Sequence, residues 1–104
     1  MNFFRRIFRK AEPFTPHEMV IYLLDKSGDL GSRDDVAMDL GKYDLEEVED
    51  ALIQVAQDHS EEEMIIDSAG ESLWEIWKRK NKFNSEIVAK MHPSAQKFFI
   101  TYEV

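Results

Sequence analysis

Asp44-Leu45-Glu46-Glu47-Val48-Glu49-Asp50-Ala51-Leu52-Ile53-Gln54-Val55-Ala56 mixes acidic and apolar residues at helical spacing. Leu45, Val48, Leu52, Val55 and Ala56 recur three or four apart, so on a helix they form one stripe. Glu46, Glu47, Glu49, Asp50, Gln54 and Gln57 take the opposite side. The following segment repeats the pattern. Ile65, Ala69, Ser72, Leu73 and Ile76 make its inward stripe, and Glu63, Asp67, Glu71 and Lys78 its polar one. The reading is two adjacent amphipathic helices with their acid turned outward.

Helix-start signals extend this pattern along the chain. Thr15-Pro16-His17-Glu18 supplies a cap, a proline at the first helical position and a glutamate three residues after the cap, with Phe14 and Met19 placed as a staple. Ser32 with Asp35, Asp44 with Glu47, and Ser60 with Glu63 repeat the signal. No Asn-Gly or Asp-Gly hairpin turn occurs. Helices are expected near 3–10, 16–26, 33–42, 45–58, 61–80, 85–91 and 94–102, in an all-α fold. Gly28, Gly31 and Gly41 fall at or after helix ends. Gly70 falls inside a helix, where it costs about 1 kcal/mol against alanine unless close packing requires it.

The chain has 104 residues, 13 Lys+Arg and 21 Asp+Glu, which fits one domain of residues 1–104. Residues 44–77 hold twelve of the acids and no Lys or Arg. No opposite charge one helical turn away is available within that block. So acidic a chain is a poor ligand for nucleic acid, which calls for clustered Lys and Arg. Cysteine is absent, which excludes disulfides, a thiol nucleophile and Cys-ligated zinc, and fits a reducing compartment. Apolar runs are too short to span a bilayer, and basic residues break up any signal-peptide core in the first ten positions.

An internal repeat emerges at an offset of 33 residues. Val36-Ala37-Met38-Asp39-Leu40-Gly41-Lys42-Tyr43 lies over Ala69-Gly70-Glu71-Ser72-Leu73-Trp74-Glu75-Ile76. Ala69 to Trp77 resembles the first helix of a HEAT-like repeat of the phycobilisome-lyase type, whose pattern there is small-small-x-small-Leu-Gly-x-apolar-Gly. Val36 to Tyr43 resembles a second copy, with Leu40-Gly41 in place, and Glu47 to Ile53 resembles the second helix of a repeat. The resemblance covers residues 33–99, loosely after 80, and departs from the pattern at Trp74 and Trp77, where the family has glycine.

The resemblance implies stacked antiparallel helix pairs, a short α-solenoid that holds another macromolecule in a groove and does no chemistry. A free-standing acidic version of this size is similar to small bacterial immunity proteins of contact-dependent growth inhibition and other polymorphic toxin systems. That likeness implies a cytoplasmic protein, not an enzyme, whose partner is the catalytic domain of a cognate toxin, often a basic nuclease. The competing expectation is a helical-repeat adaptor at a membrane or in a protein complex.

The candidate partner-binding residues are Glu46, Glu49, Asp50, Glu63, Asp67, Glu71 and Trp74. The acids have two readings, a surface for a basic partner or a solvated face. Trp74 and Trp77 lie three apart on one helix. Trp77 is expected to cap the core, while Trp74 is open between core and contact. In residues 1–12, Phe3, Phe4, Ile7 and Phe8 alternate with Arg5, Arg6, Arg9 and Lys10. This basic amphipathic segment is read as a terminal cap of the repeat array ahead of a membrane-surface helix, and its charge is also matched to the acidic block. His17, His59 and His92 show no metal-ligand spacing, and Asp25 to Asp35 lacks a calcium-loop ladder. No phosphate loop, nucleophile elbow or dinucleotide fingerprint is present, so no cofactor, metal or catalytic residue is expected.

Overall fold

Thr15 sets the first described helix by a reciprocal cap. Its hydroxyl accepts from the Glu18 amide at 3.1 Å, and the Glu18 carboxylate accepts from the Thr15 amide at 2.9 Å. The computed structural model describes residues 14–103, with side chains to residue 100. The helix expected at 3–10 lies outside the described residues. α1 runs Pro16–Leu24, α2 Leu30–Asp39, α3 Glu46–Ala56, α4 Glu63–Lys80, α5 Ser85–Ala89 and α6 Pro93–Glu103, with a 3-10 turn at Leu40–Lys42 after α2. Among the described residues there is no strand.

Three of the four expected caps are not the caps observed. α2 begins at Leu30 because Asp29, not Ser32, is the cap, and its carboxylate accepts from the Ser32 amide and hydroxyl, each at 2.9 Å. α3 starts behind Leu45 without a side-chain cap, while Asp44 turns to Arg79. α4 starts behind Glu62, and the Ser60 hydroxyl is taken by Asp58 at 2.7 Å. The acids Glu46, Glu47 and Glu49 in the first turn of α3 suit its positive end without any cap. At the other end, Lys78, Arg79 and Lys80 occupy the last turn of α4, and Asn81 closes it in the left-handed region at φ 54°.

The core runs from Met19, Val20 and Leu23 of α1 to Ala95 and Phe99 of α6. α4 is its centre and packs against α2, the 3-10 turn, α3 and α6. α1 packs on α2 and α3, and α5 on α6. The expected stripe of Ile65, Ala69, Ser72, Leu73 and Ile76 is buried throughout. On α3, Val48, Leu52, Val55 and Ala56 are buried, but Leu45 is half exposed because it precedes the helix and escapes its stripe. Trp77 is fully buried, as expected for a core cap, and meets Phe99 edge-on at 5.4 Å between ring centroids.

Contacts between helices share a sequence register. Ser72 donates to the Ala37 carbonyl 35 residues away, Ser68 to Asp34 at a separation of 34, Gln57 to the Ile87 carbonyl at 30 and Ser94 to Glu63 at 31. Residues about one helix pair apart along the chain thus become neighbours in space.

Gly70 sits where α4 meets α6. A Cβ there would fall 2.6 Å from both Cα and Cβ of Ala95, so the helix-propensity cost of glycine is accepted to let two backbones approach. Gly70→Ala therefore lowers stability by about 1–3 kcal/mol, overpacking outweighing the propensity gain. A thermal melt checks this, with an expected fall of roughly 4–8 °C per kcal/mol. A melt at or above that of the unmodified chain contradicts the close approach.

Candidate functional site

The acids of 44–77 are answered by cations that come from outside the block. Lys26 pairs with Asp58, Arg33 with Glu61, Arg79 with Asp44 and Lys97 with Asp67, each at 2.6 Å. Lys82 pairs with Glu49 at 2.7 Å, and Lys80 reaches the other oxygen of the same carboxylate. His17 meets Glu47 at 2.6 Å on the surface, an ion pair only when the imidazole is protonated. Glu46, Asp50, Glu62, Glu63, Glu71 and Glu75 have no ion pair among the described residues.

Glu49 corrects the expected outward face. It is 3% exposed, and its carboxylate accepts from the Trp77 indole at 3.0 Å as well as from Lys80 and Lys82. Its position one residue past Val48 turns it toward the end of α4, where an indole N–H and two ammonium groups wait. Burial works to raise its pKa, but the hydrogen bonds from Lys80, Lys82 and Trp77 together hold it below the ordinary value. Glu49 is thus a structural anchor for the basic segment after α4 and presents nothing to a partner.

Arg33 and Glu61 form a second internal node. Both side chains are nearly fully buried, and their fork-to-fork contact is completed by two Arg33 donations to the Leu23 carbonyl, at 3.0 and 2.7 Å. The last turn of α1, the start of α2 and the α3–α4 loop are tied at one point. Arg33 holds Glu61 below its usual carboxylate value. At the surface, Lys26 and the Ser60 hydroxyl and amide lower Asp58 to about 2.

The remaining candidate residues divide into two sets. Glu46 and Asp50 border an open groove of about 420 Å³ between α1 and α3, with Glu47 and Gln54 beside them and Val20, Leu24 and Ala51 beneath. Glu63, Asp67, Glu71 and Trp74 instead follow one stripe of α4 on the side of α6. There Ser94 donates to Glu63 at 2.7 Å, Lys97 pairs with Asp67, and Phe98 stacks obliquely on Trp74 at 6.5 Å. Trp74 is half buried, and Lys78 lies 3.6 Å over its ring, covering the face an anchor residue would offer. Glu71 stays exposed. Glu47 and the apolar floor were missed as site residues; the i, i+4 pair Val20 and Leu24 read only as part of α1.

The features set aside as non-catalytic serve the fold. Asp25 accepts from the Ser27 amide and hydroxyl, and Asp29 caps α2. His59 and His92, distant in sequence, have ring centroids 5.3 Å apart. Among the described residues no group of three His, Asp or Glu is placed to hold a metal ion, and no helix is long and apolar enough to cross a membrane. Comparison with known protein families, with curated proteins and with solved structures finds no match for this chain.

The Glu49 node gives a signed pH dependence. Its folded pKa is depressed, so its contribution is present above the unfolded carboxylate value and lost as pH falls through the folded one. Glu49→Ala, which orphans the buried Trp77 donor, costs about 1–3 kcal/mol near neutral pH, and Glu49→Gln costs less because it keeps an acceptor. Denaturant unfolding at several pH values checks this. The gap between the unmodified chain and Glu49→Gln narrows as pH drops below roughly 4, and a gap that widens there contradicts the assignment.

Proposed function

We propose that this chain is an immunity protein, a non-catalytic binder that occludes the catalytic domain of a cognate bacterial toxin of the basic, nuclease type in the cytoplasm of the producing cell. A short HEAT-like solenoid would take the helices as the pairs α1–α2, α3–α4 and α5–α6, one helix out of step with the frame in which 36–43 and 47–53 resemble the two helices of one repeat. The packing of α1 on α3, α2 on α4 and α4 on α6 supports that stacking, as does the register of about thirty residues between contacting side chains.

The observation that carries the functional reading is the acid left over after internal pairing. Glu46, Asp50, Glu62 and Glu71 are exposed and without an ion pair among the described residues. Leaving like charges together costs stability, and a partner of opposite charge recovers it. A field of this sign steers a basic domain toward the chain and raises the association rate, while affinity comes from the desolvated centre of the contact. Occlusion needs no group of its own to react: carboxylates placed where a nuclease expects phosphates would cover its cleft.

Capture from the native bacterium's lysate over a salt series tests this, with identification and assay of what is bound. The expected result is one basic toxin fragment whose activity is inhibited at equimolar ratio and whose binding weakens steeply as salt rises. A housekeeping or membrane complex bound with little salt dependence overturns the immunity reading and favours the adaptor.

A further inference from the structure

We propose that the groove between α1 and α3 is where that partner docks, and that it takes a cationic segment carrying an apolar side chain among its Lys and Arg. The inference rests on the acidic-face reading and narrows it to one place and one chemistry.

The subtraction of internal ion pairs locates the charge. The six cations that answer Asp44, Glu49, Asp58, Glu61 and Asp67 do not line the groove, and of them Lys80 also attracts Glu46 through space. Glu46 and Asp50 stand one turn apart on α3, at a spacing where like charges repel, and neither has an ion pair among the described residues. Glu47 beside them meets an exposed imidazole that is a cation only when protonated. The groove thus carries three carboxylates along one wall, and no Lys or Arg is among the described residues that line it.

The floor selects what comes with the charge. Val20, Leu24 and Ala51 give it an apolar base, and Ile21, three residues before Leu24 and so beside it on α1, is 58% exposed. A purely polar cation would leave that surface wet. A segment with a leucine-like side chain between its basic residues covers the floor and meets the acids at once. The α4 stripe offers less: Asp67 is neutralised by Lys97, Glu63 is hydrogen-bonded to Ser94, and Lys78 covers Trp74.

Amide chemical-shift mapping of the full chain with two short synthetic peptides tests the proposal. One alternates Lys and Arg with Leu, and the other has the same charge with Ser in place of Leu. The expected shifts fall on Val20, Ile21, Leu24, Asp50, Ala51 and Gln54, and the Ser peptide binds about tenfold more weakly. Glu46→Gln with Asp50→Asn weakens the Leu peptide by about tenfold or more, whereas Glu86→Gln, an exposed acid of α5 that does not line the groove, changes it by less than about twofold. Shifts centred on Glu62 to Glu71 overturn the groove while leaving an acidic-face binder standing. Equal binding of the two peptides overturns the apolar requirement. No salt-sensitive binding of either peptide overturns the groove together with the reading beneath it. If Arg5→Gln, Arg6→Gln and Arg9→Gln shift the same groove amides with no peptide present, the chain's own basic segment is the occupant and the partner site falls.

Discussion

Twelve acids in residues 44–77 with no Lys or Arg among them impose one constraint, that every neutralising cation must arrive from elsewhere in the chain. The helices satisfy it by packing so that residues about thirty apart meet. Arg33 with Glu61 and Lys82 with Glu49, 28 and 33 residues apart, sit on the same register as the uncharged contacts of Ser72 and Gln57. Charge and apolar packing thus favour one arrangement, the local and global agreement that gives a single folded state. The buried Arg33–Glu61 pair contributes little net stability through its attraction, since desolvation offsets it, but losing one partner would strand a buried charge at a cost of about 3–5 kcal/mol. The pair ties α1, α2 and the α3–α4 loop at one point.

The same constraint shapes the surface. An acidic run read along the sequence looks like a continuous face, and in space it is several things. Glu49 is an internal anchor, Asp58 and Glu61 are staples between elements, and Asp67 is neutralised by α6. What remains gathers most clearly beside the α1–α3 groove, where charge and an apolar floor coincide. Under the proposed reading, surplus charge locates the binding surface better than total charge does, because an exposed acid already paired within the chain has less to offer a partner.

Much of the fold was legible before the structure. The stripes of 45–58 and 61–80 and the cap at Thr15 located helices to within a few residues, because local periodicity and capping are properties of short segments. The exception of Gly70 was visible as a conflict with propensity, though its cause, Ala95, lies 25 positions on. The candidate site was less legible. Glu49 occupies a polar position of its helix and is inward only because α4 ends beside it with an indole and two lysines. Leu45 fits the apolar stripe and is exposed because the helix begins after it. The caps at Asp44 and Ser60 failed for one reason, that each side chain found a stronger partner than a backbone amide. All of these depend on residues far along the chain, where periodicity carries no information. Side-chain contacts between α2 and α4 join residues 34 and 35 apart.

The chain's own cations pair with specific acids of the block and leave others without an ion pair among the described residues. Carboxylate-resolved NMR titration of the full chain tests this pairing most directly. Asp58 is expected to titrate at about 2, and Glu49 and Glu61 below the ordinary carboxylate range, because Lys26, Lys80, Lys82 and Arg33 hold them charged. Titration of all three at ordinary values would mean that these cations are not engaged, and would contradict both the internal pairing and the argument that singles out the α1–α3 groove.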